Sequence, residues 1–278
     1  MPGSGHTPGS GDRSALIDRL RRAGCVFAED EAELLLAEAH SPEQLETMTA
    51  ARVAGLPLEH VLGWAAFRGL RIEVDPRVFV PRRRTELLVE QAVRVAGRRA
   101  TIVDLCCGTG AVGTALLHEL DDANVYAADI DPAAVASARR NLEPHGGIVL
   151  AGDLFQALPS SLLDRVDVIV ANTPYVPTDA IALMPPEARE HEATVALDGG
   201  VDGLDLHRRV ADGAARWLRR GGWLIVETSV EQAERTAGLF RAAGLTASIV
   251  RSEEVDGTAV VGQRAADSVE LEVDGGAR

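Results

Sequence analysis

The chain has 278 residues, room for one large domain or an ordinary domain with a smaller attachment, and its 46% hydrophobic and 25% charged residues argue against general disorder and against a disulfide scaffold. A formal net charge of −14 argues against affinity built on broad contact with phosphate backbones, which calls for a basic surface, so a nucleic-acid partner is not expected. Cys25, Cys106 and Cys107 give neither a metal spacing nor an even disulfide set, so no metal and a reducing, cytoplasmic setting are expected. No apolar run is long enough for a membrane span, and the first residues lack the charged-then-apolar order of a signal peptide. Nothing in the composition forces an oligomer, and a monomer is expected.

Residues 1 to 12, rich in Gly, Ser and Pro, and residues 265 to 278, acidic and ending Asp-Gly-Gly-Ala-Arg, show no apolar periodicity and are expected to be unstructured tails. Between residues 13 and 63 the apolar residues Leu16, Ile17 and Leu20, then Ala32, Leu35, Leu36 and Ala39, recur at helical spacing, broken at Gly24 and Ser41-Pro42. This predicts a small helical unit. From 64 to 80 the pattern becomes an alternation, Leu70, Ile72 and Val74 against Arg71, Glu73 and Asp75, which predicts a β-ribbon linker and a boundary near residue 80.

From 81 to 264 short β-type runs alternate with helical ones. Strands are expected at Thr101 to Leu105, Val125 to Ile130, Ile148 to Ala151, Val166 to Ala171, Trp223 to Thr228, Ala247 to Val250 and Ala259 to Gly262. Helices are expected around Ala111 to Leu120, Pro132 to Leu142, Leu204 to Leu218 and Glu231 to Ala243. Such alternation specifies an α/β, doubly wound and mainly parallel sheet with right-handed crossovers. The last two strands have no helix between them, so the final one should enter antiparallel.

In such sheets ligands bind beyond the carboxyl ends of the strands. The first strand runs from Asp104 through Leu105, Cys106, Cys107, Gly108 and Thr109 to Gly110, a glycine turn that lets a ligand reach backbone N–H groups. With Gly113 the same residues also satisfy a dinucleotide spacing, so this signal alone leaves a nicotinamide oxidoreductase open. About twenty residues on, Asp129 is placed to accept from ribose hydroxyls, while Asp131 before Pro132 reads as a helix N-cap. The third strand leads to Gly152-Asp153-Leu154-Phe155, a carboxylate acceptor for an adenine amine beside apolar side chains.

The discriminating feature follows the fourth strand: Asn172-Thr173-Pro174-Tyr175, a polar amide leaving a buried strand, then a rigid Pro and an aromatic face. This holder suits a flat NH₂-bearing group. An amide nitrogen is a poor nucleophile because its lone pair is delocalised; hydrogen bonds from its N–H groups to the Asn172 oxygen and a backbone carbonyl orient it, and the rest is alignment. His60, His118, His145, His191 and His207 have no ligand spacing and read as surface or structural groups; Cys106 and Cys107 read as small packing residues. The run Arg82-Arg83-Arg84 reads as a solvated face or as internal ion-pair partners.

With these residues in place, the chain resembles the release-factor glutamine methyltransferases over roughly residues 52 to 264. The resemblance rests on Arg52 to Pro57, Pro81-Arg82 with Thr85-Glu86, Asp104 to Gly110, Asp129, Asp153, Asn172 to Tyr175, Glu192 and Ala196 to Leu204. It implies a Rossmann-like, seven-stranded methyltransferase sheet behind a helical substrate-recognition domain. It implies S-adenosyl-L-methionine as cofactor, held by Asp104, Cys106, Gly108, Thr109, Gly110, Asp129, Asp153, Leu154 and Asn172. It implies a glutamine of a release-factor Gly-Gly-Gln loop as acceptor, bound by Arg82, Thr85, Asn172, Thr173, Pro174, Tyr175 and Glu192, with Asn172, Pro174 and Tyr175 catalytic. Thr173 stands where the family usually has Pro, Arg83 and Arg84 where a Pro is common, and Ala193 where Pro usually follows Glu192; these departures mark a paralogous branch. Two other readings remain open beside the oxidoreductase: a methyltransferase acting on the exocyclic amine of a flipped adenine, and a nucleoside-binding module without turnover.

Overall fold

The computed structural model describes residues 10–266. Four helices open the chain: α1 (Ser10–Arg22), α2 (Ala28–Glu38), α3 (Pro42–Val53) and α4 (Leu58–Leu62). Helix α1 begins at Ser10, so residues 10–12, expected to belong to a tail, are its first turn; residues 1–9 and 267–278, also expected as tails, lie outside the described residues. Ser41 caps α3 by accepting a 3.1 Å hydrogen bond from the Gln44 N–H, with Pro42 at the first helical position. Leu16, Leu20, Ala32, Leu35 and Met48 close a separate apolar cluster. At its edge Arg52 is ion-paired with Glu31 and, across to a later segment of the chain, with Glu187, both at 2.6 Å.

Strands β1 (Trp64–Phe67) and β2 (Leu70–Glu73) form the antiparallel ribbon, paired from Trp64↔Glu73 to Phe67↔Leu70. Arg68 and Gly69 between them both have positive φ, as a tight type I′-like hairpin turn requires. The ribbon's alternation is visible in its burial, with Ile72 inside and Arg71 outside, the Arg71 guanidinium lying 4.0 Å over the Trp64 ring.

The remaining elements are α5 (Glu86–Val95), β3 (Thr101–Leu105), α6 (Ala111–Glu119), β4 (Asn124–Asp129), α7 (Pro132–Leu142), β5 (Ile148–Ala151), β6 (Val166–Ala171), α8 (Pro186–His191), α9 (Asp205–Trp217), β7 (Leu218–Glu227), α10 (Ala233–Ala242), β8 (Leu245–Ser252) and β9 (Gly257–Arg264). The seven long-range strands stand in the order β5-β4-β3-β6-β7-β9-β8; the first five are mutually parallel, and β9 runs antiparallel to both β7 and β8. The antiparallel entry of the last strand is as the missing helix implies. Neither α5 nor α8 is evident from the sequence pattern.

Alternate side chains of the central strands face opposite layers, as the pleat dictates. Ile102, Val168 and Val170 pack with Leu88 of α5, Leu116 of α6 and Leu142 of α7 on one face. Val103, Ile169 and Ala171 pack with Val210 and Ala214 of α9 and Phe240 of α10 on the other. Each such aliphatic or aromatic side chain buried from water stabilises the fold by about 1.5–3 kcal/mol before entropy is charged against it. This layering fixes the site: β3 connects to β4 on one side of the sheet while its neighbour β6 connects towards β7 on the other, so their carboxyl ends open onto a crevice. Among the described residues no helix is long and apolar enough to cross a membrane.

Candidate active site

A cleft of about 520 Å³ opens over the carboxyl ends of β3, β4, β5 and β6. It is lined by Asp104, Cys106, Gly108, Thr109, Asp129, Asp153, Leu154 and Asn172 to Tyr175, together with Arg82, Thr85 and Glu192. Gly110, expected with them, lies just behind the wall.

The glycine turn divides its work. Gly108, at φ +55°, would meet no protein atom with an added Cβ, so the space above it belongs to the cleft. A Cβ on Gly110, at φ +75°, would lie 3.2 Å from Ala138 Cα, and one on Gly113 would lie 2.8 Å from Leu142 Cδ1. Gly110 and Gly113 therefore serve helix packing rather than ligand approach. Asp104 is 2% exposed and gives Oδ2 to the Gly113 N–H at 3.0 Å, bracing the start of α6; burial pushes its carboxyl up to about 7. Burial first, then the neighbouring carboxylates, also pushes the Cys106 and Cys107 thiols up, which disfavours their thiolate forms.

Asp129 ends β4 with its carboxylate held at both oxygens: Oδ2 accepts from Gly108 N–H and Oδ1 from Asp131 N–H, each at 2.9 Å. Burial raises its pKa and these backbone donors oppose the rise. Each oxygen keeps a lone-pair direction for a further donor. Next to it Ile130 is 55% exposed and lines the cleft, an apolar surface that the sequence alone does not single out. Asp131 caps α7 through Ala133 N–H at 2.9 Å. Asp153 gives Oδ2 to Arg209 of α9 at 2.7 Å, leaving Oδ1 as its remaining acceptor, and Leu154 beside it holds φ +48° with 8% exposure.

The acceptor side is built by the turn Arg82 to Thr85. Thr85 is buried, and its hydroxyl accepts from Asn172 Nδ2 at 3.2 Å. This fixes which way the amide faces, and Asn172 Oδ1 takes no hydrogen bond from the described residues. Thr173 is 1% exposed with its hydroxyl buried and unpartnered, while Pro174 is buried and Tyr175 half-buried. The Tyr175 hydroxyl donates to Glu227 Oε1 at 3.1 Å, and Arg84 Nε donates to the same oxygen at 3.0 Å.

Behind Tyr175 the glycine-rich run after Leu197 is a close-fitting backing. A Cβ on Gly199 would come within 2.8 Å of Tyr175 Cα, and one on Gly203, at φ +71°, within 2.3 Å of the Tyr175 carbonyl oxygen. Gln232 Nε2 donates to that carbonyl at 3.0 Å. Glu192, expected at the substrate, has a fully buried side chain: Oε1 pairs with Arg82 and accepts from Val80 N–H, and burial raises its pKa. It lines the cleft beside Arg82, with Oε2 buried and without a partner among the described residues. Arg82 and Arg84, themselves part-exposed, are thus the ion-pair partners of buried carboxylates. His207, on α9, is fully buried, with Nδ1 2.9 Å from the Thr236 hydroxyl.

A strand-end carboxylate, a glycine turn and a strand-end amide converging at the switch point of a seven-stranded sheet with an antiparallel β9 define the S-adenosylmethionine-dependent methyltransferase class. The donor set fits that cofactor: Asp129 offers free carboxylate lone pairs, and the space over Gly108 is one that a side chain would fill. The model of the family "Methyltransferase small domain" matches residues 72–192. A methyltransferase structure from Pyrococcus furiosus superposes with a TM-score of 0.55 at 14% identity, covering 79% of this chain and 99% of that one, a likeness of fold. The chain is 41% identical over 209 residues to a release factor glutamine methyltransferase of Geobacter sulfurreducens, covering 73% of this chain and 72% of the relative. It is 39% identical over 246 residues to one of Mycolicibacterium smegmatis, covering 87% of each. The chain belongs to the release factor glutamine methyltransferase family.

Proposed function

We propose that this protein methylates the side-chain amide nitrogen of a glutamine in a protein, with the Gly-Gly-Gln loop of a peptide chain release factor as acceptor. The observation that carries this reading is the Thr85–Asn172 hydrogen bond, which anchors the Asn172 NH₂ through one of its two N–H groups and leaves Oδ1 for a donor from the cleft. A primary amide has such a donor.

In this reading Asp129 takes the cofactor's ribose hydroxyls, Gly108 and Thr109 present the backbone, and Cys106, Asp153 and Leu154 with Ile130 enclose the adenine. Asp104 and Gly110 shape the loop from behind. S-adenosylmethionine supplies an electrophilic methyl group on its sulfonium. The chain's own task is positional: Asn172 Oδ1 and the Thr173 carbonyl hold the acceptor's two N–H groups, Pro174 keeps that carbonyl extended, and Tyr175 packs on the amide plane. Arg82 and Thr85 form the near wall. No general base is needed before transfer, since the amide nitrogen that gains the methyl group becomes a cation with one proton in excess, and that proton is lost readily to water.

The helical unit of residues 13 to 63 and the ribbon of 64 to 80 act as the acceptor-recognition part, tied to helix α8 through Arg52 and Glu187. The protein works as a cytoplasmic monomer. Calorimetry with S-adenosylmethionine, followed by transfer of a labelled methyl group to separated protein and nucleic-acid fractions, tests the reading. Label in release factor supports it; label confined to nucleic acid refutes it.

A further inference from the structure

The carboxyl end of β7 carries a charge that the steps above do not use. Glu227 is 2% exposed and follows the fully buried run Leu224-Ile225-Val226. A carboxylate in such a place is costly unless paired, and it is only half satisfied: Oε1 accepts from Tyr175 and Arg84, while Oε2 is buried without a partner. Strand β7 lies beside β6 with Ala171 opposite Val226, so Glu227 stands one residue beyond that pair, on the strand next to the one that delivers Asn172. Arg84 immediately precedes Thr85. Two consecutive residues therefore hold the two ends of the Asn172 to Tyr175 segment: Thr85 takes Asn172 directly, and Arg84 takes Tyr175 through Glu227.

We propose that Glu227, paired with Arg84, is a positioning residue for amide methylation, fixing the Tyr175 ring so that a flat acceptor is aligned between it and Asn172. The inference rests on the amide-acceptor reading. Tyr175 sits on a loop, whereas Glu227 ends a central strand, and a site on a loop gains its precision from such a rigid anchor. Arg84 Nε donates to the same oxygen that accepts from the Tyr175 hydroxyl, and so holds Oε1 turned towards it. A buried charge with a spare oxygen persists here because it specifies one ring geometry, a role that an apolar residue of the same size does not supply.

The test is a double-mutant cycle on the full chain with S-adenosylmethionine and a Gly-Gly-Gln peptide. Glu227→Gln and Tyr175→Phe should each lower kcat by at least about tenfold, the scale of a displaced positioning group, with cofactor affinity unchanged. The pair together should be no worse than the worse single change, because both remove one hydrogen bond. Arg84→Met, at a half-exposed position, should lower kcat in the same direction. Losses that multiply in the double variant, or that only track a fall in melting temperature, overturn the proposal.

A second readout needs no turnover. Tyr126→Phe leaves Tyr175 as the single tyrosine of the two, and its phenol is pushed up to about 12 by burial and then by the Glu227 charge, with Arg84 opposing and the His207 ring 6.5 Å away. In Glu227→Gln the phenol carbon resonance should titrate at lower pH. An unchanged titration means that the carboxylate does not hold the hydroxyl, and the proposal fails. If the native protein leaves the peptide unmethylated while the titration shifts as expected, the choice of acceptor is what has failed.

Discussion

Asn172 Nδ2 lies 3.2 Å from Thr85 Oγ1, and that one hydrogen bond decides which face of the Asn172 amide is offered to the cleft. Thr85→Val keeps the shape of the buried side chain and removes the acceptor. The Asn172 amide is then free to turn, and kcat should fall by about tenfold, corresponding to about 1.4 kcal/mol, with S-adenosylmethionine affinity unchanged. Steady-state kinetics with saturating cofactor measure this. A rise in the cofactor Kd with kcat intact would move Asn172 from the acceptor to the nucleoside.

Asp129 holds Gly108 and Asp131 backbone N–H groups and keeps lone pairs for a ligand. Asp129→Ala should weaken S-adenosylmethionine by about 1.5–3 kcal/mol, the usual scale for hydrogen bonds to a charged group, while the protein remains folded. Calorimetric titration, with a melting curve as control, checks both halves. Unchanged affinity would remove Asp129 from the cofactor site.

Two buried groups pull the pH dependence of stability in opposite directions. Asp104, raised by burial to about 7, keeps its proton longer in the folded chain; the stability this contributes is full below the ordinary carboxylate pKa and is lost as pH rises to about 7. His207, lowered by burial to about 4 from 6.5, contributes stability that is lost as pH falls through that window. Relative to the native protein, Asp104→Asn should therefore lose more stability on acidification from pH 7 to pH 4, and His207→Gln should lose less. Melting temperatures across that range settle the signs. Shifts of the same sign in both variants would contradict the assignment.

The buried, unpartnered Thr173 hydroxyl costs stability without a visible return. Thr173→Val should raise stability by about 1 kcal/mol, the penalty of one unsatisfied hydroxyl, read by denaturant melting. Thr173→Pro, which restores the usual family pattern, should hold or raise turnover on a Gly-Gly-Gln peptide, since the carbonyl and the following Pro174 are retained. A clear fall in turnover would show Thr173 to be matched to a different acceptor.

Much of this was legible in the sequence because it is local. The strand-end carboxylate Asp129, the cap Asp131 before Pro132 and the amide motif Asn172 to Tyr175 each announce themselves by the residues next to them, and the missing helix before β9 gives its antiparallel entry. What was not legible depends on partners far along the chain. Glu227 reads as the polar end of an apolar run until Arg84 and Tyr175 meet it. The pairing of Glu192 with Arg82 joins residues far apart in the sequence and shows only once the chain is folded. Helix α5 is obscured because its residues Leu87 to Val89 form one short apolar cluster, which suits a strand as well as a helix. Gly199 and Gly203 show no reason for their identity until the Tyr175 backbone is seen against them.

The central claim, that the Asn172 side chain holds a glutamine amide for methylation, is tested most directly by peptide mass spectrometry of release factor incubated with S-adenosylmethionine and either the native protein or Asn172→Ala. The native protein should add the mass of one methyl group to the glutamine of the Gly-Gly-Gln loop, and Asn172→Ala should do so at least about a hundredfold more slowly, with cofactor still bound. An unmodified Gly-Gly-Gln peptide with the native protein, or full activity of Asn172→Ala at saturating cofactor and acceptor, would contradict it.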